Sequence, residues 1–190
     1  MGELSERLAE VSNALSEAGH HPGIVSGGSS PTLWQSHEVE GMTEVRAGTA
    51  IFFDREQVAI GSAREEDLAY SVLATVVSVA VPGQAVVDAG SKALAKEGRG
   101  GKGDFGVGWG RPEIIVKGLS EEHGVLDLSE TDWRPRIGDR VRVVPNHVCV
   151  SVNLQDRLMM IDETGVHPWV LDARGRRPFR GSDAHAGAGV

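Results

Sequence analysis

Apolar residues recur along this chain with two different periods, and the change between them divides it. Leu4, Leu8, Val11 and Leu15 fall three or four apart, which is one face of a helix. Gly19 and Pro22 supply its stop signals. Gly23-Ile24-Val25-Ser26 then reads as a short apolar strand running into Gly27-Gly28-Ser29-Ser30-Pro31-Thr32. There Ser30 is a natural N-cap and Pro31 a natural first helical residue, so a short helix is expected. Residues 44–54 read as a second strand, which makes 1–54 an α-β-α-β run of the parallel α/β kind. From about residue 70 the period falls to two. Segments 71–81, 85–88, 113–118, 124–128, 140–144, 149–153, 158–162 and 166–171 are short, rich in β-branched residues and bounded by turn residues. Such regular spacing predicts a compact β-barrel or sandwich. Between them, residues 98–110 are dense in glycine and lack the Gly-Lys-Ser/Thr ending of a nucleotide loop, so they are expected to be a mobile connection. The tail from residue 176 is expected to be disordered.

Two strands and two helices bury little and leave both strand edges open. The chain is therefore expected to hold the end of one domain, residues 1–54, followed by a whole β-domain, residues 55–175. Composition narrows its partners. A net charge of −8 argues against nucleic acid. One cysteine makes no internal disulfide, and the charged start Met1-Gly2-Glu3-Leu4 has no apolar run of a signal peptide. The longest apolar stretch, around 72–81, is too short to span a bilayer, so no membrane association is expected and a cytoplasmic location is the default. With only 5% aromatic residues, the core must be built from Val, Leu, Ile and Ala.

Two segments carry candidate chemistry. The turn at 26–32 offers glycines that let backbone approach a ligand, helix-start N–H groups, and the hydroxyls of Ser29, Ser30 and Thr32. It reads either as a phosphate-type anion site or as a plain capped turn. The second segment is Pro145-Asn146-His147-Val148-Cys149-Val150. On a strand, residues two apart share a face at roughly 7 Å, so His147 and Cys149 would grip one ion from one side. An imidazole with a thiolate suits zinc; the alternative is a small buried cysteine beside an ordinary histidine. A two-ligand site is open to water and substrate. His123, Glu121 and Glu122 are candidates for a third ligand, or else an acidic turn. Asp88 and Lys92 bracket a glycine and are read as structural.

Taken in order, Val25-Ser-Gly-Gly-Ser-Ser-Pro-Thr32, Glu44-Val-Arg-Ala-Gly48, Asp88-Ala-Gly-Ser-Lys92, Glu121-Glu-His-Gly124 and Pro145-Asn-His-Val-Cys149 resemble the C-terminal half of D-threonine aldolase and eukaryotic-type D-serine dehydratase. Those are pyridoxal-phosphate (PLP) enzymes of the alanine-racemase fold type, and the resemblance covers about residues 1–175. It implies an α+β chain: the last α/β units of a PLP-binding (β/α)8 barrel, then a mainly-β domain, a barrel or sandwich. It implies that Gly27, Gly28, Ser29, Ser30 and Thr32 surround the PLP phosphate. It implies that His147 and Cys149 bind Zn2+, with Mn2+ the alternative, and that the substrate is a small D-3-hydroxy amino acid. A homodimer, or association with the absent part of the barrel, follows from the same resemblance. The Schiff-base lysine of that family lies on the first barrel strand. Lys92, Lys96, Lys102 and Lys117 do not match it, so no catalytic residue is assigned and the chain alone is expected to be inactive. The competing expectation is a non-catalytic β-domain that binds metal or another subunit. Phe52-Phe53 stands where relatives often carry a tyrosine.

Overall fold

The computed structural model describes residues 1–99 and 103–172; the tail expected to be disordered, 176–190, lies outside them. Helix α1, Gly2–Glu17, is followed by β1, Ser26–Gly27, and β2, Glu44–Val45, which pair in parallel (Ser26 opposite Glu44). The sequence predicts longer strands here, but only two residues of each find a ladder partner. Short 3-10 turns at Ser30–Thr32 and Ser36–Glu38 lie between the two strands, and another at Thr49–Ile51 follows β2. No residue of α1 is buried. Helix α2, Arg55–Ala59, leads to the main body.

That body is a closed barrel of six antiparallel strands among the described residues. The strands are β3 (Val72–Ser78), β4 (Gln84–Val87), β5 (Gly106–Gly108), β6 (Arg111–Leu119), β7 (Gly124–Asp127) and β8 (Arg140–Pro145). They run in the order β3-β4-β7-β6-β5-β8, and β3 closes on β8 with Val72 opposite Val143. Helix α3, Ser91–Leu94, follows β4, and helix α4, Val148–Asn153, follows β8. A hairpin of β9, Arg157–Asp162, and β10, Gly165–Val170, stands apart from the barrel.

Apart from β5, the barrel strands place alternate apolar residues on one side, toward the interior. Ala74, Val76, Ala85, Val87, Ile114, Val116, Leu126 and Val143 are all buried at 1% exposure or less, and with Ala89, Leu94 and Leu128 they make one cluster. Each Val, Leu or Ile among them contributes about 1.5–3 kcal/mol by leaving water. On the outer wall, the Arg142 guanidinium stacks 3.9 Å from the ring centre of Trp109.

Two expectations change. The glycine-dense segment is not simply a connection: Gly106–Gly108 is β5, wedged between β6 and β8. A Cβ on Gly106 would lie 2.7 Å from the Val144 carbonyl oxygen, and Gly106 has φ +154°, so the strand is glycine because its backbone packs directly on its neighbour. Residues 100–102 of that segment are outside the described residues. Residues 149–153, read from their valine alternation as a strand, are the body of α4. Strand β8 ends at Pro145, opposite Gly106, and buried Val148 and Ser151 stand three apart, at helical spacing.

Candidate metal and phosphate sites

Local chemistry begins at Phe53, whose φ of 50° turns the chain in the left-handed region. Asp54 follows as the N-cap of α2: its Oδ1 accepts from the Gln57 N–H at 3.0 Å. Its other oxygen reaches across the molecule. Oδ2 accepts from the Val148 N–H at 3.0 Å and lies 2.9 Å from His147 Nδ1. The carboxylate thus caps two helices, α2 from within and α4 from outside. That second cap satisfies the first N–H of α4, one of the groups a helix start leaves without a partner of its own.

The adjacent residues tie the same two segments. Arg55 donates to the Asn146 side-chain oxygen and pairs with Asp104 at 2.7 Å. The Glu56 N–H donates to the Asn146 carbonyl at 3.2 Å. The Asn146 amide donates to the carbonyls of Glu97 and Asp104, at 2.8 and 2.7 Å. Farther along α4, Ser151 bonds the buried Tyr70 hydroxyl at 2.9 Å. So three consecutive residues, 54–56, hold three consecutive residues, 146–148. Beside this network a cavity of about 570 Å3 is walled by Arg55, Val58, Leu68, Val107 and Trp109.

Within this frame His147 is extended, with its side chain one-third exposed, and Cys149 is the second residue of α4 and exposed. The strand argument for their shared face therefore does not hold; they straddle a helix start instead. Burial, then the charges of Asp54 and Glu97, push the Cys149 thiol up. The same negative surroundings favour a cation. The donor set fits an open metal site: Nδ1 of His147 faces Asp54, leaving Nε2 for a ligand bond, and a thiol stands two residues on. Among the described residues no three or more His, Cys, Asp and Glu side chains are grouped to hold a metal. Glu121 and Glu122 instead face Lys92, at 3.7 and 2.5 Å, on the β6–β7 turn. His123 closes that turn through Ser120. Two of the segments that carry the resemblance meet here, since α3 donates its Ser91 and Lys92 N–H groups to the carbonyls of Ser120 and Glu121. Asp88 accepts from the Thr75 N–H at 2.6 Å, a structural role as read. Lys117 pairs with Asp127 at 3.2 Å, and Lys102 is outside the described residues.

The turn at 27–32 is largely self-satisfied. The Thr32 hydroxyl accepts from the Ser29 N–H at 3.2 Å and donates to the Ser29 carbonyl at 3.3 Å. Gly28 has φ +70°, and a Cβ there would meet Ser36 Oγ at 2.8 Å; one on Gly27 would meet Met42 Sδ at 2.7 Å. Packing therefore accounts for both glycines. Ser30 is buried at the start of the turn's 3-10 helix, and the buried side-chain oxygen without a hydrogen-bond partner among the described residues is Thr49 Oγ1. No hydrogen bond among the described residues joins this turn to His147 or Cys149.

A family model for a putative serine dehydratase domain matches residues 69–161. D-threo-3-hydroxyaspartate dehydratase of Delftia sp. (strain HT23) is 40% identical over 169 residues, 78% of this chain and 44% of the dehydratase. An uncharacterised protein of Mycobacterium tuberculosis is 33% identical over 128 residues, 65% of this chain and 96% of that protein. The solved structure of the Delftia dehydratase superposes with a TM-score of 0.76 at 32% identity, covering 87% of this chain and 48% of the other. Solved mutants of a D-threo-3-hydroxyaspartate dehydratase include a histidine-to-alanine and a cysteine-to-alanine form, the two positions being two apart; the cysteine mutant is described as metal-free. This chain spans about half the length of the dehydratase it matches.

Proposed function

The chain belongs to the family of D-threonine aldolase and D-serine dehydratase, and from that premise we propose that it is part of a PLP- and metal-dependent lyase acting on a D-3-hydroxy amino acid. The observation that carries the reading is the His147–Cys149 pair held at the start of α4 by Asp54. The His-x-Cys spacing equals that of the two positions mutated in the solved dehydratase. His147 and Cys149 would hold the ion, zinc by the softness of the thiolate and manganese less readily. A bound zinc supplies Lewis acidity toward a substrate hydroxyl and carboxylate, and PLP supplies an electron sink. The chain's own residues orient and bind. Asp54 fixes the imidazole, the exposed face of Cys149 leaves room for water and substrate, and the Ser29–Ser30 corner offers hydroxyls to a phosphate.

A second reading has its own support. A relative exists that this chain covers almost end to end, and it is far shorter than the dehydratase. A β-domain that binds metal or another subunit without catalysing is the function that fits such a short relative. Fusing this chain behind the N-terminal half of the Delftia dehydratase separates the two. On the lyase reading the fusion cleaves or dehydrates a D-3-hydroxy amino acid with PLP and zinc, and loses activity in His147→Ala and Cys149→Ala. A fusion that binds zinc and PLP but stays inactive would favour the non-catalytic module.

A further inference from the structure

Asp54 has a place in this architecture that its position in the sequence, remote from His147, does not announce. It is 1% exposed. A buried carboxylate is costly unless hydrogen-bonded, and here two backbone N–H groups, from Gln57 and Val148, fix both oxygens. One of those oxygens lies 2.9 Å from His147 Nδ1. A carboxylate oxygen that close favours the neutral tautomer whose positive N–H end is on Nδ1, beside it, over the one that places a lone pair there. That leaves the lone pair on Nε2, the form a metal needs.

We propose that Asp54 is the positioning residue of the metal site, setting the tautomer and orientation of His147 so that Nε2 is presented to the ion. This rests on the reading of His147 and Cys149 as ligands. Arg55 and Glu56 complete the support by holding Asn146, so the peptide carrying the imidazole is anchored on both sides of His147. Carboxylate partners of this kind raise ligand basicity, and their loss typically costs metal affinity 10- to 100-fold, so about that loss is expected here.

Three measurements test it. In the metal-free chain, nitrogen NMR of His147 should show the neutral ring protonated on Nδ1; a ring protonated on Nε2 overturns the proposal without any variant. In Asp54→Asn the amide can donate to Nδ1 and reverse the tautomer. Zinc affinity, read by competition with a chromophoric chelator, should then fall about 10- to 100-fold. Asp54→Ala should lose affinity comparably but leave the ring free to sample both tautomers, which a purely structural role would not produce. Unchanged zinc affinity in a folded Asp54→Asn chain, beside normal binding by wild type, overturns the positioning role alone. Wild-type chain that binds no zinc overturns the ligand assignment itself, so the two failures are distinguishable.

Discussion

Tyr70 is the only tyrosine in the chain, and its hydroxyl is buried against Ser151 of α4, which in turn donates to the Ala93 carbonyl at the end of α3. Burial raises the Tyr70 pKa, opposed by the hydrogen bond between its hydroxyl and Ser151. The sign of the resulting pH dependence follows. A phenol whose folded pKa lies above its unfolded value near 10 stabilises the fold below about pH 10. That contribution is lost as pH rises through the folded value. Ultraviolet difference absorbance of this single phenol should therefore show ionisation above the range of an exposed tyrosine, coinciding with loss of stability. Tyr70→Phe should remove the alkaline sensitivity while costing about 0.5–1.5 kcal/mol at neutral pH, the worth of one hydrogen bond. An ionisation no later than that of a model phenol would contradict the buried contact. The same scale explains why Asp54 escaped notice. Its signal was present, since Asp54 precedes Gln57 by three residues, the spacing of an N-terminal helix box, but the alternation of 44–54 read as strand masked it.

At the scale of elements, barrel strands carrying core-facing Val, Ile and Leu were legible: β3, β4, β6, β7 and β8 all fall within or overlap the predicted segments, as do the largely exposed β9 and β10. Strand β5 was not, because Gly106-Val107-Gly108 has almost no side chains to alternate. Helix α4 was misread because the local propensity of Val148, Val150 and Val152 favours a strand, whereas its first N–H is held by Asp54, 94 residues earlier in the chain. Gly106→Ala tests the reason for β5. With φ +154° and a Cβ 2.7 Å from the Val144 oxygen, it should cost at least about 1–3 kcal/mol in urea unfolding. Gly23→Ala, where a Cβ meets nothing within 4 Å, should change stability by no more than about 0.5 kcal/mol. Ile114→Ala, at 0% exposure in the barrel interior, should cost about 2–5 kcal/mol. Equal effects in Gly106→Ala and Gly23→Ala would mean that β5 does not seal the barrel.

The whole molecule is uneven in how well it satisfies its apolar surface. The barrel interior is fully buried, whereas the flanking pieces expose theirs: Leu4, Val11 and Leu15 on α1, Ile24, Trp34 and Ile51 around the parallel pair, and most of the β9–β10 hairpin. On one side of that hairpin Trp169 lies 6.1 Å from Phe52 between ring centres. On the other side the paired residues Ile161 and Val166 are 71% and 59% exposed, with Met159 at 56% on the same face. A two-stranded hairpin is marginal by itself in water, and an apolar strand face with open edges invites pairing with another chain. Self-association of the isolated chain follows, with sedimentation rising as concentration rises. Ile161→Lys combined with Val166→Lys places two like charges across one strand pair on that face. It should suppress association while leaving the barrel's unfolding midpoint nearly unchanged, since neither residue touches the barrel core. A wild-type chain that sediments as a monomer at high concentration would show that these apolar faces need no partner. Association that survives both lysines would move the contact to α1 and the parallel pair, where Leu4, Val11 and Ile51 are the next residues to charge.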